Sequence, residues 1–380
     1  MNTTPPAQRK PFAAPFTNLF ADGFDIRETL LKGRAFFALI VIIIVFGMLS
    51  PNYLSVNNLL LMSSHVAVFA ILAMGMLMVV LNGGIDLSVG STVGFTGIVA
   101  GALMQGIDIP AFGIKLFPAV WVVVLIALAA GALIGYINGI LISRFKVAPF
   151  VATLGMLYVV RGAALLITGS LTYPDLQGSP ELGNTGFNWL GFNRILEIPI
   201  GVIIMLILAL YFSGVLNRTV FGRWIYASGG NERAAELSGI PVKRVQIRVY
   251  VISGLCAALS GIIIASELTS ANPTAGGTYE LTAIAAVVIG GASLAGGRGT
   301  IRGTLLGAFV IGFLSDGLVI IGVSEYWQMI FKGGVIVLAV LLNAVEYKSR
   351  KKGPNSPPPT ASVVTIPSAS AEGTTTKIVD

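Results

Sequence analysis

The residues with the clearest potential for chemistry lie in the stretch VVLNGGIDLSVGSTVG, residues 79–94, where an apolar run is interrupted. Asp86 and Ser88 follow Gly83 and Gly84 and precede a second apolar run. A carboxylate at such a boundary can cap the next helix, because it accepts hydrogen bonds from amides that have no helical partner. It could instead contact a ligand directly. The two glycines before the cap would form a hinge, which makes these four residues candidates for a mobile hairpin.

Other kinds of site find little support in the sequence. His65 is the only histidine, which excludes a histidine-cluster metal site, and Cys256 is the only cysteine, which excludes an intrachain disulfide. Residues 84–92, GIDLSVGST, have the glycine spacing of a phosphate-binding loop, but they lack its lysine and contain one residue too many. We therefore expect no catalytic residue, no metal site and no nucleotide site on this chain.

These residues belong to a chain that is strongly apolar. Of its 380 residues, 55% are hydrophobic and 11% are charged, and the mean hydropathy is +0.85. Soluble domains contain about 25% charged residues, so this chain has too few charges to cover a surface in water. Its apolar residues also occur in runs long enough to cross a bilayer, which needs about 20 residues. The composition predicts an all-α polytopic membrane protein.

Ten transmembrane helices are predicted within residues 34–347. They lie between a polar N-terminal tail, residues 1–33, and a C-terminal tail, residues 348–380, whose Pro/Ser/Thr-rich composition predicts disorder. Two longer segments outside the membrane are expected at about 169–196 and 214–246. The predicted spans are 34–50, 58–81, 87–104, 118–142, 148–168, 197–213, 247–266, 280–296, 301–321 and 326–346.

The basic residues predict the orientation, because cytosolic loops of membrane proteins are enriched in Lys and Arg. With ten spans and both termini in the cytosol, 20 of the 24 basic residues lie on the cytosolic side. This placement accounts for the net charge of +7 without any binding of nucleic acid. The cytosolic set is Arg9, Lys10, Arg27, Lys32, Arg34, Arg144, Lys146, Arg218, Arg223, Arg233, Lys243, Arg244, Arg248, Arg298, Arg302, Lys348, Arg350, Lys351, Lys352 and Lys377.

Polar residues within the predicted spans are candidates for a transport pathway or an outer vestibule, because charged groups in a membrane are functional candidates by default. Snorkelling to the interface would also explain the two cations of this set, and hydrogen bonding between helices is the simpler role for its two neutral members. The Asp86 hairpin joins the set as a gating candidate, and we expect it near the cytosolic face. The intramembrane candidates are Asn138, Thr153, Arg161, Asp316 and Lys332.

The segment 214–246 contains the signals of a short helix in GGNERAAELSGIPV. Asn231 can cap the first turn, Glu232 suits the positive end of the helix dipole, and Gly239 supplies a stop. The small and apolar residues between them indicate docking, either on this protein or on another. The residues assigned to this helix and its caps are Asn231, Glu232, Ala234, Ala235, Glu236, Leu237 and Gly239.

This segment resembles the ATPase-contacting loop of permeases of ATP-binding-cassette (ABC) importers, in which a Glu-Ala-Ala…Gly sequence forms a coupling helix. The match in ERAAELSG is loose, with one inserted residue, whereas the longer GGNERAAELSGIPV is more similar to the ribose and related carbohydrate-uptake branch. NGGIDLSVGS, residues 135–165 and AVVIGGASLAGGRGTIRGTLLGA resemble the same branch. The similarity extends in the same order over about residues 35–347.

The resemblance implies the membrane subunit of an importer for a monosaccharide or a sugar alcohol, with the architecture of vitamin-B12-type (type II) importer permeases. It also implies an ATPase subunit that holds ATP and Mg²⁺, a periplasmic sugar-binding protein, and a second identical or similar permease chain in the bacterial inner membrane. Two alternatives stay open. One is a permease for branched-chain amino acids or another small polar solute, which GIDLSVG disfavours. The other is a stand-alone secondary transporter, which would need no docking helix.

Overall fold

Helices form most of the computed structural model, which describes residues 34–110 and 113–351. The predicted N-terminal tail and nearly all of the predicted C-terminal tail lie outside the described residues. Of the described residues, those up to Asn343 belong to one compact unit and those from Ala344 to another. The helices are α1 (Arg34–Leu49), α2 (Val56–Leu81), α3 (Val89–Met104), α4 (Val120–Ser143), α5 (Pro149–Thr168), α6 (Trp189–Phe192), α7 (Ile200–Arg218), α8 (Val220–Gly230), α9 (Glu232–Leu237), α10 (Val242–Glu267), α11 (Tyr279–Ile289), α12 (Ile301–Ile320) and α13 (Glu325–Lys351).

Short strands and one 3₁₀ turn, Pro180–Leu182, lie between the helices. The strands β1 (Ile107–Ile109) and β2 (Ile114–Leu116) form one antiparallel pair, and β3 (Arg194–Ile195) and β4 (Ile198–Pro199) form another. Local sequence sets several helix ends: the Ser55 hydroxyl caps α2, and Gly169 ends α5 in a left-handed conformation with φ of 57°. Such caps satisfy backbone groups that the helix itself leaves without partners.

Six helices in the described part of the chain are long and apolar enough to cross a membrane: α2, α4, α5, α7, α10 and α12. Three shorter apolar helices correspond to α1 without its first residue, α3 and α11. The chain is therefore a multi-pass membrane protein, while the count of ten spans stays a prediction. The predicted eighth span, 280–296, was too long, because α11 ends at Ile289 and glycine-rich irregular backbone follows.

The helices α2 and α10 form the centre of the bundle, and both are largely buried by their neighbours. Glycines on α4 allow its close approach to α10. A Cβ atom added at Gly135 would collide with the backbone of Tyr250, and one added at Gly139 would meet the backbone of Ile247. Small residues at such spacing let helix backbones pack closely where no hydrophobic effect drives association.

One end of the bundle carries most of the basic loops, and we call it the basic end. The Gly297 amide there donates to the Leu81 carbonyl over 2.9 Å, and the Tyr226 hydroxyl donates to the Gly299 carbonyl over 2.8 Å. Burial raises the pKa of Tyr226, which keeps the hydroxyl protonated as a donor. The basic end comprises the segments 82–88, 144–148, 219–241 and 290–300.

The opposite end comprises the segments 169–199 and 268–278. Tyr173 and Ala271 form an antiparallel bridge there, and the Asn184 side chain donates to the Met104 carbonyl over 3.2 Å. Segments that were predicted on one side of the membrane therefore meet at one end of the bundle. Which end faces the cytosol stays a prediction from the basic residues.

Two irregular segments run deep into the bundle, and α3 begins where they approach each other. Asp86, in the segment 82–88, bonds to Ser253, which lies eleven residues into α10 and so about 16 Å from its start. From the opposite end, the segment 268–278 brings Gly276 against Gly90, in the first turn of α3. Asp86 therefore lies inside the bundle, and its position near the cytosolic face stays a prediction.

Single-cysteine labelling in a Cys256→Ser background tests the predicted orientation. Thr185 at the opposite end and Arg233 at the basic end are both exposed. An impermeant thiol reagent added outside intact cells should label Thr185→Cys and leave Arg233→Cys unlabelled. Permeabilised cells should show labelling of both variants. The reverse pattern in intact cells would invert the topology.

Candidate functional site

The Asp86 carboxylate is the centre of a buried polar network. Its Oδ1 accepts hydrogen bonds from the Ser88 amide over 3.0 Å and from the Ser88 hydroxyl over 2.6 Å. Its Oδ2 accepts from the Ser253 hydroxyl on α10 over 2.8 Å. No ion pair to Asp86 occurs within residues 34–110 and 113–351. The carboxylate thus stabilises the turn before α3 and also joins that turn to α10.

Neighbouring helices bind the same turn. The Asn138 amide group on α4 donates to the Ser88 hydroxyl over 2.9 Å. The Ile85 carbonyl accepts from the Thr153 hydroxyl of α5 over 3.3 Å and from the Tyr250 hydroxyl of α10 over 3.4 Å. Asn138 and Thr153 have no exposed surface in this chain. Their geometry is that of hydrogen bonding between helices, which was the simpler of the two roles considered.

Glycine is required at positions 83 and 84, before Asp86, for different structural reasons. Gly83 adopts φ of +81°, which side chains other than glycine rarely adopt. Gly84 lies so close to the Tyr250 hydroxyl that an added Cβ atom would collide with it. A tight turn and a close approach therefore require the pair, and the hinge role stays a prediction.

Arg161 on α5 holds the segment 268–278 in place. Its guanidinium donates to the carbonyls of Pro273 over 2.5 Å and Ala275 over 2.9 Å, and its second terminal nitrogen lies 3.4 Å from the Gly90 carbonyl. Snorkelling to the interface does not describe this side chain, because its donors point at backbone inside the bundle. Five donors in a fixed planar group suit arginine to binding several carbonyls at once.

Asp316 and Lys332 line one cavity of about 310 Å³ at the opposite end. His65 Nδ1 lies 3.1 Å from Asp316 Oδ1, and Glu267 lines the same cavity. These charged groups therefore lie together around one cavity, and their role as a vestibule stays a prediction. Sequence reasoning used His65 only to exclude a metal site. No group of three or more His, Cys, Asp or Glu in the described part of the chain could hold a metal ion.

The predicted short helix is α9, and its caps have the expected geometry. The Asn231 side chain accepts from the Ala234 amide over 3.0 Å, and Gly239 follows the helix with φ of +82°. Ala234 and Leu237 are exposed, and Leu237 has 76% of its surface free. Ala235, assigned beside Ala234 as a contact for a partner, is buried within its own chain, because it lies on the inner side of this single turn and a half.

Glu232 joins α9 to the helices of the bundle. Its Oε1 lies 3.2 Å from the Nζ of Lys146, a residue of the loop that joins α4 to α5. The same oxygen accepts a hydrogen bond from the Gln246 side chain on α10 over 3.3 Å. A cavity of about 260 Å³ beside these groups is also lined by Gly83 and Gly84. The short helix and the Asp86 turn are therefore neighbours at the basic end.

One face of α10 connects this short helix with the Asp86 turn. Gln246, Tyr250 and Ser253 follow at spacings of four and three residues, which places them on the same face of a helix. Gln246 contacts Glu232, whereas Tyr250 and Ser253 contact the Asp86 turn. Sequence reasoning missed all three. Their polar spacing within an apolar helix was the only local signal that could have found them.

Comparisons with known proteins agree on the class of the chain. Residues 58–340 match the family described as the permease component of the branched-chain amino acid transport system. The chain is 46% identical over 321 residues to the ribose import permease protein RbsC of Escherichia coli (strain K12), which covers 83% of this chain and 94% of the relative. No solved structure matches the chain.

Two further relatives carry sugar-import names. The ribose import permease protein RbsC of Bacillus subtilis (strain 168) is 43% identical over 312 residues, covering 81% of this chain and 91% of the relative. The galactose/methyl galactoside import permease protein MglC of Salmonella typhimurium (strain LT2) is 36% identical over 332 residues, covering 85% of this chain and 96% of the relative.

Substitution of Asp86 separates a capping role from a role of its charge. Asp86→Asn should keep most function and abundance, because an asparagine can still accept from Ser88 and bond to Ser253. Asp86→Leu should reduce both, because each buried donor left without a partner costs about 1–3 kcal/mol. Membrane abundance, thermal stability in detergent and transport are the measurements. Equal loss of transport in both variants at normal abundance would show that the charge itself matters.

Proposed function

Because the chain belongs to the permease family that includes the ribose import permeases, whose members are transport components and not enzymes, we propose that it imports a monosaccharide or a sugar alcohol as the membrane subunit of an ABC importer. The observation that carries the proposal is the similarity to ribose import permeases over about four fifths of the chain. The galactose permease relative supports the wider class of sugars.

ATP hydrolysis belongs, in this proposal, to a separate ATPase subunit that holds ATP and Mg²⁺ and docks on α9. The exposed Leu237 and Ala234 supply an apolar contact surface at the basic end. Leucine burial of this kind contributes about 1.5–3 kcal/mol. The buried Ala235 fixes α9 to its own chain, which lets a movement of the ATPase displace the helix together with its surroundings.

Movement of α9 reaches the Asp86 turn through groups that touch both. Glu232 bonds to Lys146 and to Gln246 on α10. Tyr250 and Ser253, on the same face of α10, bond to the turn before α3. A helix transmits displacement along its length because its backbone is rigid between those contacts. In this proposal the turn and α3 move as one body when the ATPase subunits close.

The translocation pathway lies, in this proposal, between two permease chains and along the segment 268–278. Asn272, Thr274 and Thr278 are exposed there although the segment reaches the first turn of α3. Irregular polar backbone at membrane depth is tolerated only where protein or water covers it. Two chains with facing segments would enclose such a polar channel, and a periplasmic binding protein would deliver the sugar at the opposite end.

The finer architecture belongs to the same proposal. It comprises ten spans, both termini in the cytosol, the bacterial inner membrane and the arrangement of vitamin-B12-type importer permeases. The pattern of short α3 and α11 beside deep irregular segments supports it, because transporters place their sites at such interruptions.

Transport in proteoliposomes tests the proposed function. Vesicles that contain the permease, its genomically adjacent ATPase and the neighbouring binding protein should accumulate radiolabelled ribose or a related sugar only when ATP is present with the ATPase. ATP-dependent uptake of leucine without uptake of any sugar would favour the branched-chain amino acid alternative. Sugar uptake without the ATPase would identify a secondary transporter.

A surface substitution tests α9 as the docking site. Leu237→Asp should lower co-purification of the ATPase about tenfold or more, because it removes apolar contact and brings a charge into the interface. The permease should stay at normal abundance, since the side chain is exposed in the chain alone. Co-purification from membranes and sugar-stimulated ATP hydrolysis are the measurements.

Two controls make this experiment specific. Leu196→Asp changes a leucine that is 90% exposed at the opposite end, and it should leave the ATPase bound. Ala235→Asp places a carboxylate inside the chain and should lower abundance instead. Normal ATPase binding by Leu237→Asp would show that docking occurs elsewhere.

A further inference from the structure

An apolar groove with a volume of about 690 Å³ lies between α4, α7 and α10, away from the Asp86 network. Its walls include Leu128, Leu208, Phe212 and Leu259, and Arg248 lines it on the side of the basic end. We propose that this groove is a binding site for one acyl chain of an anionic phospholipid, with the lipid phosphate on Arg248. The inference does not rest on the transported substrate.

The chemistry of the groove favours an acyl chain. Of its polar lining groups, the Thr219 hydroxyl already donates to the Val215 carbonyl over 2.6 Å, and the Cys256 thiol is buried. Leu210 and Tyr211 on α7 are exposed, which places the groove on a side that this chain leaves open. In a bilayer, apolar surface of this kind faces lipid tails, because water gains no hydrogen bonds there.

The length of the groove agrees with one leaflet. Arg248 and Leu259 both line it, and they are eleven residues apart on α10, which corresponds to about 16 Å along the helix axis. Half of the hydrocarbon thickness of a bilayer is about 15 Å. A chain that begins at the headgroup level beside Arg248 would therefore end near the bilayer midplane.

The positive charge beside the groove, at Arg248, favours an anionic headgroup. Arg248 is exposed, lies over the Phe221 ring at 5.9 Å, and forms no ion pair with any residue in the described ranges. Arg218 and Arg223 flank Thr219 and Phe221 in sequence, and those two residues line the groove. Clusters of arginine at the end of membrane helices attract anionic headgroups, and a guanidinium binds phosphate through two parallel hydrogen bonds. Phosphatidylglycerol is an anionic phospholipid and serves as the probe for this class.

Native mass spectrometry of the detergent-purified full chain tests the proposal, with phosphatidylglycerol and phosphatidylcholine added in turn after delipidation. The wild type should retain phosphatidylglycerol in preference to phosphatidylcholine. Arg248→Gln should lower that preference about tenfold, because it removes the charge and keeps a polar side chain. Arg302→Gln, an exposed arginine of α12 that does not line the groove, is the matched control and should change nothing.

A second variant tests the groove itself. Leu255→Trp fills it from α10 while Arg248 remains, and it should also lower retention of phosphatidylglycerol. Equal retention of both lipids by the wild type, or no effect of either variant, would overturn the site and leave only unspecific annular lipid. If Leu255→Trp instead dissociates a dimer while lipid retention is unchanged, the groove is a contact between two copies of the chain.

Discussion

The structure depends on one constraint: irregular backbone inside a membrane protein must be paired within the protein or face a water-filled cavity. The turn at 82–88 meets this constraint through Asp86, whose two carboxylate oxygens accept three hydrogen bonds from Ser88 and Ser253. In hydrocarbon each unpaired polar group costs several kcal/mol, so the surrounding helices supply further donors to the same turn. α3 begins directly after this turn, at Val89.

The same constraint explains the role of Arg161, which binds the segment 268–278 where that segment meets the first turn of α3. The segment 268–278 exposes carbonyls where no ladder of helix or sheet exists, and one guanidinium satisfies those of Pro273 and Ala275. Asp86 and Arg161 thus hold two irregular segments against the first turn of α3. Irregular backbone inside the bundle is thereby paired with side chains of the same protein.

The helix α10 connects the short helix α9 with the Asp86 turn. Gln246 on one face of α10 contacts Glu232, and Ser253 on the same face contacts Asp86. Close packing makes the connection stiff, because glycines of α4 bring that helix against the backbone of α10. The groove proposed for an acyl chain lies on the side formed with α7, so it is separate from the face of α10 that contacts the Asp86 turn.

The sequence by itself determined the membrane class, most helix positions and the caps Asn231 and Gly239, because hydropathy and capping are local properties. It also predicted which loops share an end, since basic residues mark one side. Only the tertiary structure decided the α10 partner of Asp86, the carbonyl partners of Arg161 and the burial of Ala235. Asp86 and Ser253 are 167 residues apart in the chain, and Arg161 and Pro273 are 112 apart. No local pattern encodes which distant helix face fills such a contact, because that choice depends on how all the helices pack together.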